Sequence, residues 1–402
     1  MFFTKIFYCR AFQTMFRLAM PILPYREPKI INSCALISNV LNKENIHSVL
    51  IVTDRGIVNN GLITQVEDSL LSSGISYSVY ADTQTNPTVQ NVEDALEIYK
   101  TNNCNGLIAI GGGSVMDCAK AVGARVAYPK KRLNQLRGIL RVLRKIPTLI
   151  AIPTTAGTGS ETTLAALVTD SSTHHKYAIM SFPLIPHYAV LDASLTYSLP
   201  AHLTATTGMD ALTHAVEAYI GRSTTKETRQ LALDATKLIF ENLERAYENG
   251  LDHEARAHML HASYKAGIAF SKSYVGYIHA LAHSLGGTYG TPHGLANAVL
   301  MPHVLTKYGK HAHKKLHELA IAVDIATPKD TAMTGALKFI NAIKELNARM
   351  NIPCKLPGIK EDDIPAMAKL AEKEANPLYP VPKVMPWKEL AKFYYQLADW
   401  SI

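Results

Sequence analysis

The chain is poor in cysteine, and none of its cysteines is placed for pairing. Cys9, Cys34, Cys104, Cys118 and Cys354 are the only five in 402 residues. They are widely scattered, odd in number and never in a C-x-x-C pair, which argues against a disulfide framework and a thiolate zinc site. A reducing compartment follows. Long uninterrupted apolar runs are also missing, so no membrane span is expected. There is no long low-complexity stretch either. With 48% hydrophobic and 18% charged residues, the composition is that of an ordinary folded protein, long enough for a two-domain enzyme.

Acidic residues are in deficit. Forty-one Lys and Arg against 33 Asp and Glu give a net charge of +8, and much of the excess sits in residues 130–145. There Lys130, Lys131, Arg132, Arg137, Arg141, Arg144 and Lys145 alternate with leucines at roughly helical spacing. The spacing reads as a solvated basic helix face, with nucleic acid or anionic membrane as the other reading. The first 26 residues carry Lys5, Arg10, Arg17 and Arg26, five phenylalanines and no acid. This composition resembles a transit peptide and equally suits an amphipathic helix docked on the fold or its partner. The expected location is the cytoplasm, with the mitochondrial matrix as the alternative.

What is present begins with short apolar runs. Residues 48–53 (SVLIVT), 76–80, 106–110 and 148–152 read as strands, with a helix at 92–100 between two of them and further strand pieces at 177–180 and 189–191. Strands buried on both faces and separated by helical patterns indicate parallel βαβ units and a doubly wound α/β domain. After Pro200 the texture changes to Ala/Leu/His-rich helical periodicity. Helix is expected from about residue 204 to 398, with breaks near Gly250, 286–294, Pro328 and 377–386. This divides the chain into a basic, apolar extension (1–23), an α/β domain (24–199) and a helical domain (200–402).

Three constellations carry chemistry. Gly111-Gly112-Gly113-Ser114 follows a strand and opens a helix, where glycines let backbone approach a pyrophosphate and free N–H groups favour an anion. The same residues also read as a tight turn with Ser114 as N-cap and Asp117 three residues on. A second loop, from Pro153 to Glu161, offers four hydroxyls and two glycines at another strand end. Ligands of open α/β sheets bind at that edge. Asp54, closing the first strand, suits an adenosine ribose and equally a plain turn. In the helical half, Asp210 and His214 share one helix face by their spacing of four, His279 and His283 repeat it, and His293 follows a Gly-rich break. One carboxylate with several imidazoles suits Fe²⁺, Zn²⁺, Mn²⁺ or Co²⁺ better than Mg²⁺ or Ca²⁺.

These motifs resemble the iron-containing (group III) alcohol dehydrogenase family over nearly the whole chain, from about residue 24 to 398. The segments that carry the likeness are Gly111-Gly-Gly-Ser-x-x-Asp117, Ile152-Pro-Thr-Thr-Ala-Gly-Thr-Gly-Ser-Glu161, Gly208-Met-Asp-Ala-Leu-Thr-His214 and His279-x3-His283-x9-His293-Gly294. The resemblance implies a Rossmann-like dinucleotide-binding domain followed by an all-helical metal-binding domain, an architecture shared with dehydroquinate synthase. It implies metal ligands at Asp210, His214, His279 and His293, and a non-ligand catalytic histidine at His283. It also implies cofactor contacts at Asp54, Asn86, Gly112, Gly113, Ser114, Thr154, Thr155, Thr158 and Lys176. The implied cofactors are NAD and Fe²⁺, with Zn²⁺ as alternative. The implied reaction is hydride transfer between NAD and a small alcohol or aldehyde, in a homo-oligomer without nucleic acid. Two rivals remain: a dehydroquinate-synthase-like lyase, and a non-catalytic metal- and nucleotide-binding protein. The lyase should need Lys or Arg near the metal helices, and residues 208–221 and 275–300 contain none.

Overall fold

The computed structural model describes residues 2–171 and 175–400. Pro24–Leu199 forms one compact unit, and the segments before and after it form a second. The leading helix α1 (Phe2–Ala19) therefore belongs with the C-terminal half.

The α/β unit contains strands β1 (Lys29–Ile31), β2 (Ser48–Val52), β3 (Ser76–Tyr80), β4 (Gly106–Gly111), β5 (Gly138–Ile139), β6 (Thr148–Pro153), β7 (Ala165–Asp170), β8 (His175–Met180) and β9 (Tyr188–Val190). Helices α2 (Ile37–Lys43), α3 (Arg55–Asn59), α4 (Thr64–Leu71), α5 (Val89–Thr101) and α6 (Gly113–Ala127) connect them. Six strands form a sheet in the order β1-β9-β6-β4-β2-β3, every pair parallel. Successive side chains point to opposite faces, so Leu50, Val52, Leu107, Ala109, Leu149 and Ala151 pack in one apolar layer. Val49, Ile51, Ile108, Ile110, Ile150 and Ile152 pack in the other. Burial of each large aliphatic side chain contributes about 1.5–3 kcal/mol. This is why the central strands read as unbroken apolar runs. β5, β8 and β7 form a separate small sheet in which β7 and β8 are antiparallel.

The basic segment 130–145 is not an α-helix, contrary to the spacing. It holds a short 3-10 turn (Leu133–Leu136), the two residues of β5 and irregular chain. Gly138 at φ 100° and Leu140 at φ 56° lie outside the helical region. Leu133, Leu136, Val142 and Ile146 are buried while the seven cationic residues are exposed. The apolar residues therefore pin a loop to the core. Lys131 and Arg144 each approach the Tyr128 ring, at 4.8 and 5.0 Å from its centroid.

The second unit contains α7 (Ala201–Ile220), α8 (Lys226–Glu248), α9 (His253–Ser273), α10 (Tyr277–Tyr289), α11 (His293–Tyr308), α12 (His313–Ala322), α13 (Ala332–Arg349), α14 (Ile364–Ala375) and α15 (Trp387–Leu397). α7 is buried at every residue from Gly208 to Ile220, as a helix apolar on nearly all sides must be. The break expected across 286–294 is shorter: α10 runs through Gly286 and Gly287 and stops where Gly290 turns left-handed at φ 68°. α1 packs on this unit through buried Cys9 and Gln13. Arg10 donates to the carbonyls of Val381 (2.7 Å) and Pro382 (2.8 Å), and Gln13 donates to that of Tyr379 (2.8 Å). No described helix is long and apolar enough to cross a membrane.

Candidate functional site

In the helical unit, Asp210 and His214 lie one turn apart on α7, His279 sits in the first turn of α10, and His293 opens α11. One nitrogen or oxygen from each lies within 4.8 Å of the other three. Asp210, His214 and His279 are buried and His293 is partly exposed. The His214 ring stacks between Phe270 at 4.1 Å and His279 at 4.4 Å.

The protonation of these groups follows from their surroundings. Burial, and then the neighbouring histidines 214, 293 and 283, hold His279 neutral, well below the usual imidazole range. Its Nδ1 lies 2.7 Å from Glu217 Oε2, and an ionised Glu217 accepts a hydrogen bond from the ring proton there and leaves Nε2 its lone pair. That Nε2 is buried, has no hydrogen-bond partner and lies 3.8 Å from Asp210 Oδ1. Asp210 is raised by burial, against which His214 and the Asn297 amide act. Asn297 donates to Asp210 Oδ1 at 2.7 Å. A buried carboxylate and three imidazoles, one with an orphaned ring nitrogen, lie close together and form a donor set that fits a divalent first-row metal.

His283 stands one turn beyond His279, outside the four. Its Nδ1 lies 2.6 Å from Glu374 Oε1, which also accepts from the Tyr379 hydroxyl at 2.7 Å. Its ring lies 5.1 Å from that of His293, nearly parallel.

The remaining sequence candidates lie in the α/β unit. The chain steps from β2 outward to β3 and then returns to the other side of β2 as β4, which makes the gap between β2 and β4 the topological switch point. Asp54 follows β2, and Gly112, Gly113 and Ser114 follow β4. Asp54 accepts from the Ile57 N–H at 3.0 Å and caps α3, so the turn reading of this residue is also realised. Ser114 is not the N-cap of α6. Gly112 is, and it offers no side chain to the first N–H groups. Asp117 is buried and bonds to Ser160 Oγ (3.1 Å) instead of closing a capping box. The uncapped helix start is the arrangement that binds anions. Ser114 Oγ accepts from the Asn86 N–H at 3.3 Å, and Lys176 Nζ donates to Asn86 Oδ1 at 2.7 Å. From the loop after β6, buried Thr154 donates its N–H to the Gly111 carbonyl at 3.1 Å. Cβ atoms at Gly112 and Gly113 would meet Thr155 at 3.8 Å and Thr158 at 3.1 Å. All nine candidates thus come from the carboxyl-end side of the sheet or the segments hydrogen-bonded to it.

Two family models match this chain. Residues 31–193 match "Iron-containing alcohol dehydrogenase" and residues 204–396 match "Fe-containing alcohol dehydrogenase family, C-terminal". The chain belongs to the iron-containing alcohol dehydrogenase family. It is 38% identical to the 1,3-propanediol dehydrogenase of Citrobacter freundii over 352 residues, 86% of this chain and 90% of that protein. The crystal structure of a 1,3-propanediol oxidoreductase superposes with a TM-score of 0.89 at 34% identity, over 93% of this chain and 99% of that one. The sulfoacetaldehyde reductase from Bifidobacterium kashiwanohense in complex with NAD⁺ gives 0.83 at 28% identity, over 94% and 99%.

For this iron-containing alcohol dehydrogenase, reasoning from the sequence missed three supporting residues, two that hold the cluster in place and one that holds His283. Glu217 fixes His279 and accepts the N–H groups of Gly276 (2.7 Å) and Ile278 (2.8 Å). It lies seven residues, two helical turns, after Asp210, so the same periodicity that paired Asp210 with His214 could have found it. Asn297 lies one turn after His293. Glu374 stands 91 residues from His283 and leaves no local signal.

Proposed function

We propose that this NAD-linked, metal-dependent alcohol dehydrogenase and aldehyde reductase holds its divalent ion, Fe²⁺ with Zn²⁺ as alternative, on Asp210, His214, His279 and His293. The observation that carries the reading is the orphaned Nε2 of His279, buried and directed at a carboxylate and two further imidazoles. When bound, such an ion polarises the substrate oxygen and eases loss of the hydroxyl proton, while NAD takes the hydride.

The side chains supply the rest. Glu217 fixes the His279 tautomer, and Asn297 holds Asp210 in place. His283 moves the proton released from the hydroxyl, and Glu374 at its Nδ1 selects the ring form whose Nε2 can accept it. In the α/β unit, Gly112, Gly113 and Ser114 take the pyrophosphate on the uncapped start of α6. Asp54 takes the adenosine ribose and disfavours a 2′-phosphate. Asn86, Thr154, Thr155, Thr158 and Lys176 complete the cofactor contacts. A short alcohol or diol, or its aldehyde, is the substrate class, as the names of the relatives suggest. We assign the protein to the cytoplasm as a homo-oligomer without a nucleic-acid partner.

The test is turnover by purified protein loaded with Fe²⁺, over a panel of short alcohols and aldehydes with NAD and NADP. The reading requires NAD-preferring turnover, loss of metal and activity together in His279→Ala, and retained metal with a reduced rate in His283→Ala. A metal-replete, cofactor-binding protein with no turnover across the panel would overturn it.

A further inference from the structure

A second convergence of charged side chains lies in the helical unit beyond the C-terminal end of α7. Arg17 of α1, Arg222 and Thr224 between α7 and α8, Arg229 of α8 and Lys315 of α12 line a cavity of about 250 Å³. Four of these five lining residues are cationic and none is acidic. Asp210 is eleven residues back along α7 from Gly221, about 16 Å at the rise of a helix, so this cavity is separate from the metal cluster.

Among the described residues, the three arginines of the cavity, Arg17, Arg222 and Arg229, have no carboxylate paired to them. Four other arginines do have carboxylate partners: Arg55 with Asp82, Arg125 with Glu93, Arg245 with Asp252 and Glu254, and Arg349 with Glu244. Lys315 spends its three donors on the carbonyls of Tyr219 (3.1 Å), Ile220 (3.2 Å) and Gly221 (2.6 Å), the last turn of α7. Burial and then Arg229 push the Lys315 ammonium down to about 8, with Arg17 and Arg222 acting in the same direction and Glu318 opposing. Glu318 itself accepts from the Tyr219 hydroxyl at 2.9 Å. One carboxylate offsets only part of four positive charges; like charges held together repel one another, and an anion in their midst relieves that repulsion.

We propose that Arg17, Arg222, Thr224, Arg229 and Lys315 form a binding site for the phosphate group of a small phosphate monoester. The chemistry of the lining selects that class. A planar guanidinium presents a fork of N–H donors that matches two oxygens of a phosphate, and three of them can surround a tetrahedral dianion. Lys315 adds a compact positive charge, and the buried Thr224 also lines the cavity. The cavity is larger than one phosphate group needs, which leaves room for a short organic substituent. Arg17 comes from the N-terminal helix, so the site is complete only when α1 is docked.

The experiment is calorimetric titration of the full chain, metal-loaded, desalted and saturated with NAD so that the dinucleotide loop is filled. The probes are inorganic phosphate and glycerol phosphate at constant ionic strength. One saturable site is expected, with affinity reduced about tenfold or more in Arg222→Gln/Arg229→Gln, the loss expected for charge-assisted hydrogen bonds. Arg17→Gln, on an exposed residue, should weaken binding without disturbing the fold, so a failure of the double variant to fold leaves the proposal testable. Absence of saturable binding would overturn the proposal. So would phosphate binding of equal affinity in Arg17→Gln and the parent, since that would place the anion elsewhere, such as at the metal centre. Alcohol turnover enters neither outcome, so this inference and the proposed function fail separately.

Discussion

Glu217 carries more than its position beside a candidate ligand suggests. Its carboxyl is buried without a cation and pushed up to about 8 by that burial, against the pull of the backbone N–H groups of Gly276, Ile278 and His279. Those donors fix the start of α10, and the 2.7 Å contact to Nδ1 fixes the rotation of the His279 ring. Replacing the carboxylate oxygen at Nδ1 by an amide nitrogen would set N–H against N–H, and the imidazole can escape only by turning or by moving its proton to Nε2. Either response removes the lone pair from the cluster. Glu217→Gln should therefore weaken metal affinity by about 10–100-fold, the usual cost of losing a partner behind a ligating histidine. Chelator competition measures this directly. An unchanged affinity would mean that Glu217 serves only the helix start and that His279 finds its orientation without it.

At the scale of elements, α7 and α11 meet more closely than side chains would permit. A Cβ at Gly294 would lie 2.3 Å from the Thr206 carbonyl oxygen, which is backbone and cannot rotate away. Gly294→Ala should force the start of α11 off α7, costing about 1–3 kcal/mol as overpacking does, and carry His293 with it. A thermal melt and a metal titration should both register the change, whereas Gly287→Ala, where a Cβ meets nothing within 4 Å, should leave both near the parent values. In the sheet unit, the His187 Nδ1 accepts the Leu149 N–H at 3.1 Å, and burial followed by Arg26 pushes its imidazole down to about 4. The unfolded chain binds a proton here near pH 6.5 and the folded one only near 4, so stability falls as pH drops through that window, by at most about 3 kcal/mol. His187→Asn should flatten the decline between pH 6.5 and 4 in denaturant melts, and an equally steep decline would assign the acid sensitivity to other groups. These elements also explain what was legible in the sequence. The central strands β2, β4 and β6 are covered on both faces and read as apolar runs, but β1, an edge strand of three residues exposed at Lys29 and Ile30, forms no such pattern. The 130–145 segment imitated a helix because Leu133, Leu136, Ile139, Leu140 and Leu143 happen to recur every one to three positions, although only the first two are buried. Asp210 and His214 declared themselves by spacing, while the choice between His279 and His283 depends on which ring faces Asp210, a matter of helix rotation that no local spacing records.

Over the whole molecule, the two candidate sites are each built within one compact unit, and this fixes how stability should respond to ligands. The metal cluster joins α7, α10 and α11, all in the helical unit, whereas the dinucleotide residues lie between Asp54 and Lys176 in the α/β unit. A ligand that binds only the folded state stabilises it by about 2.7 kcal/mol when present at a hundred times its dissociation constant. For a body of about 200 residues this corresponds to roughly 5–10 °C in melting temperature. Stripping the metal should therefore lower the melting temperature by about that amount. Hydrogen exchange should locate the effect: amides of α7, α10 and α11 lose protection, while β2, β4 and β6 change little. The buried His279 Nε2 faces Asp210 Oδ1 at 3.8 Å and has no hydrogen-bond partner, so the loosening should begin where these three helices converge. Adding NAD to the stripped protein should protect the start of α6 and the loop after β6 without restoring protection to α10. Loss of protection spread evenly over both units on metal removal would reject this local view. It would mean that the ion stabilises the chain as one cooperative whole, with the helical cluster only its point of attachment.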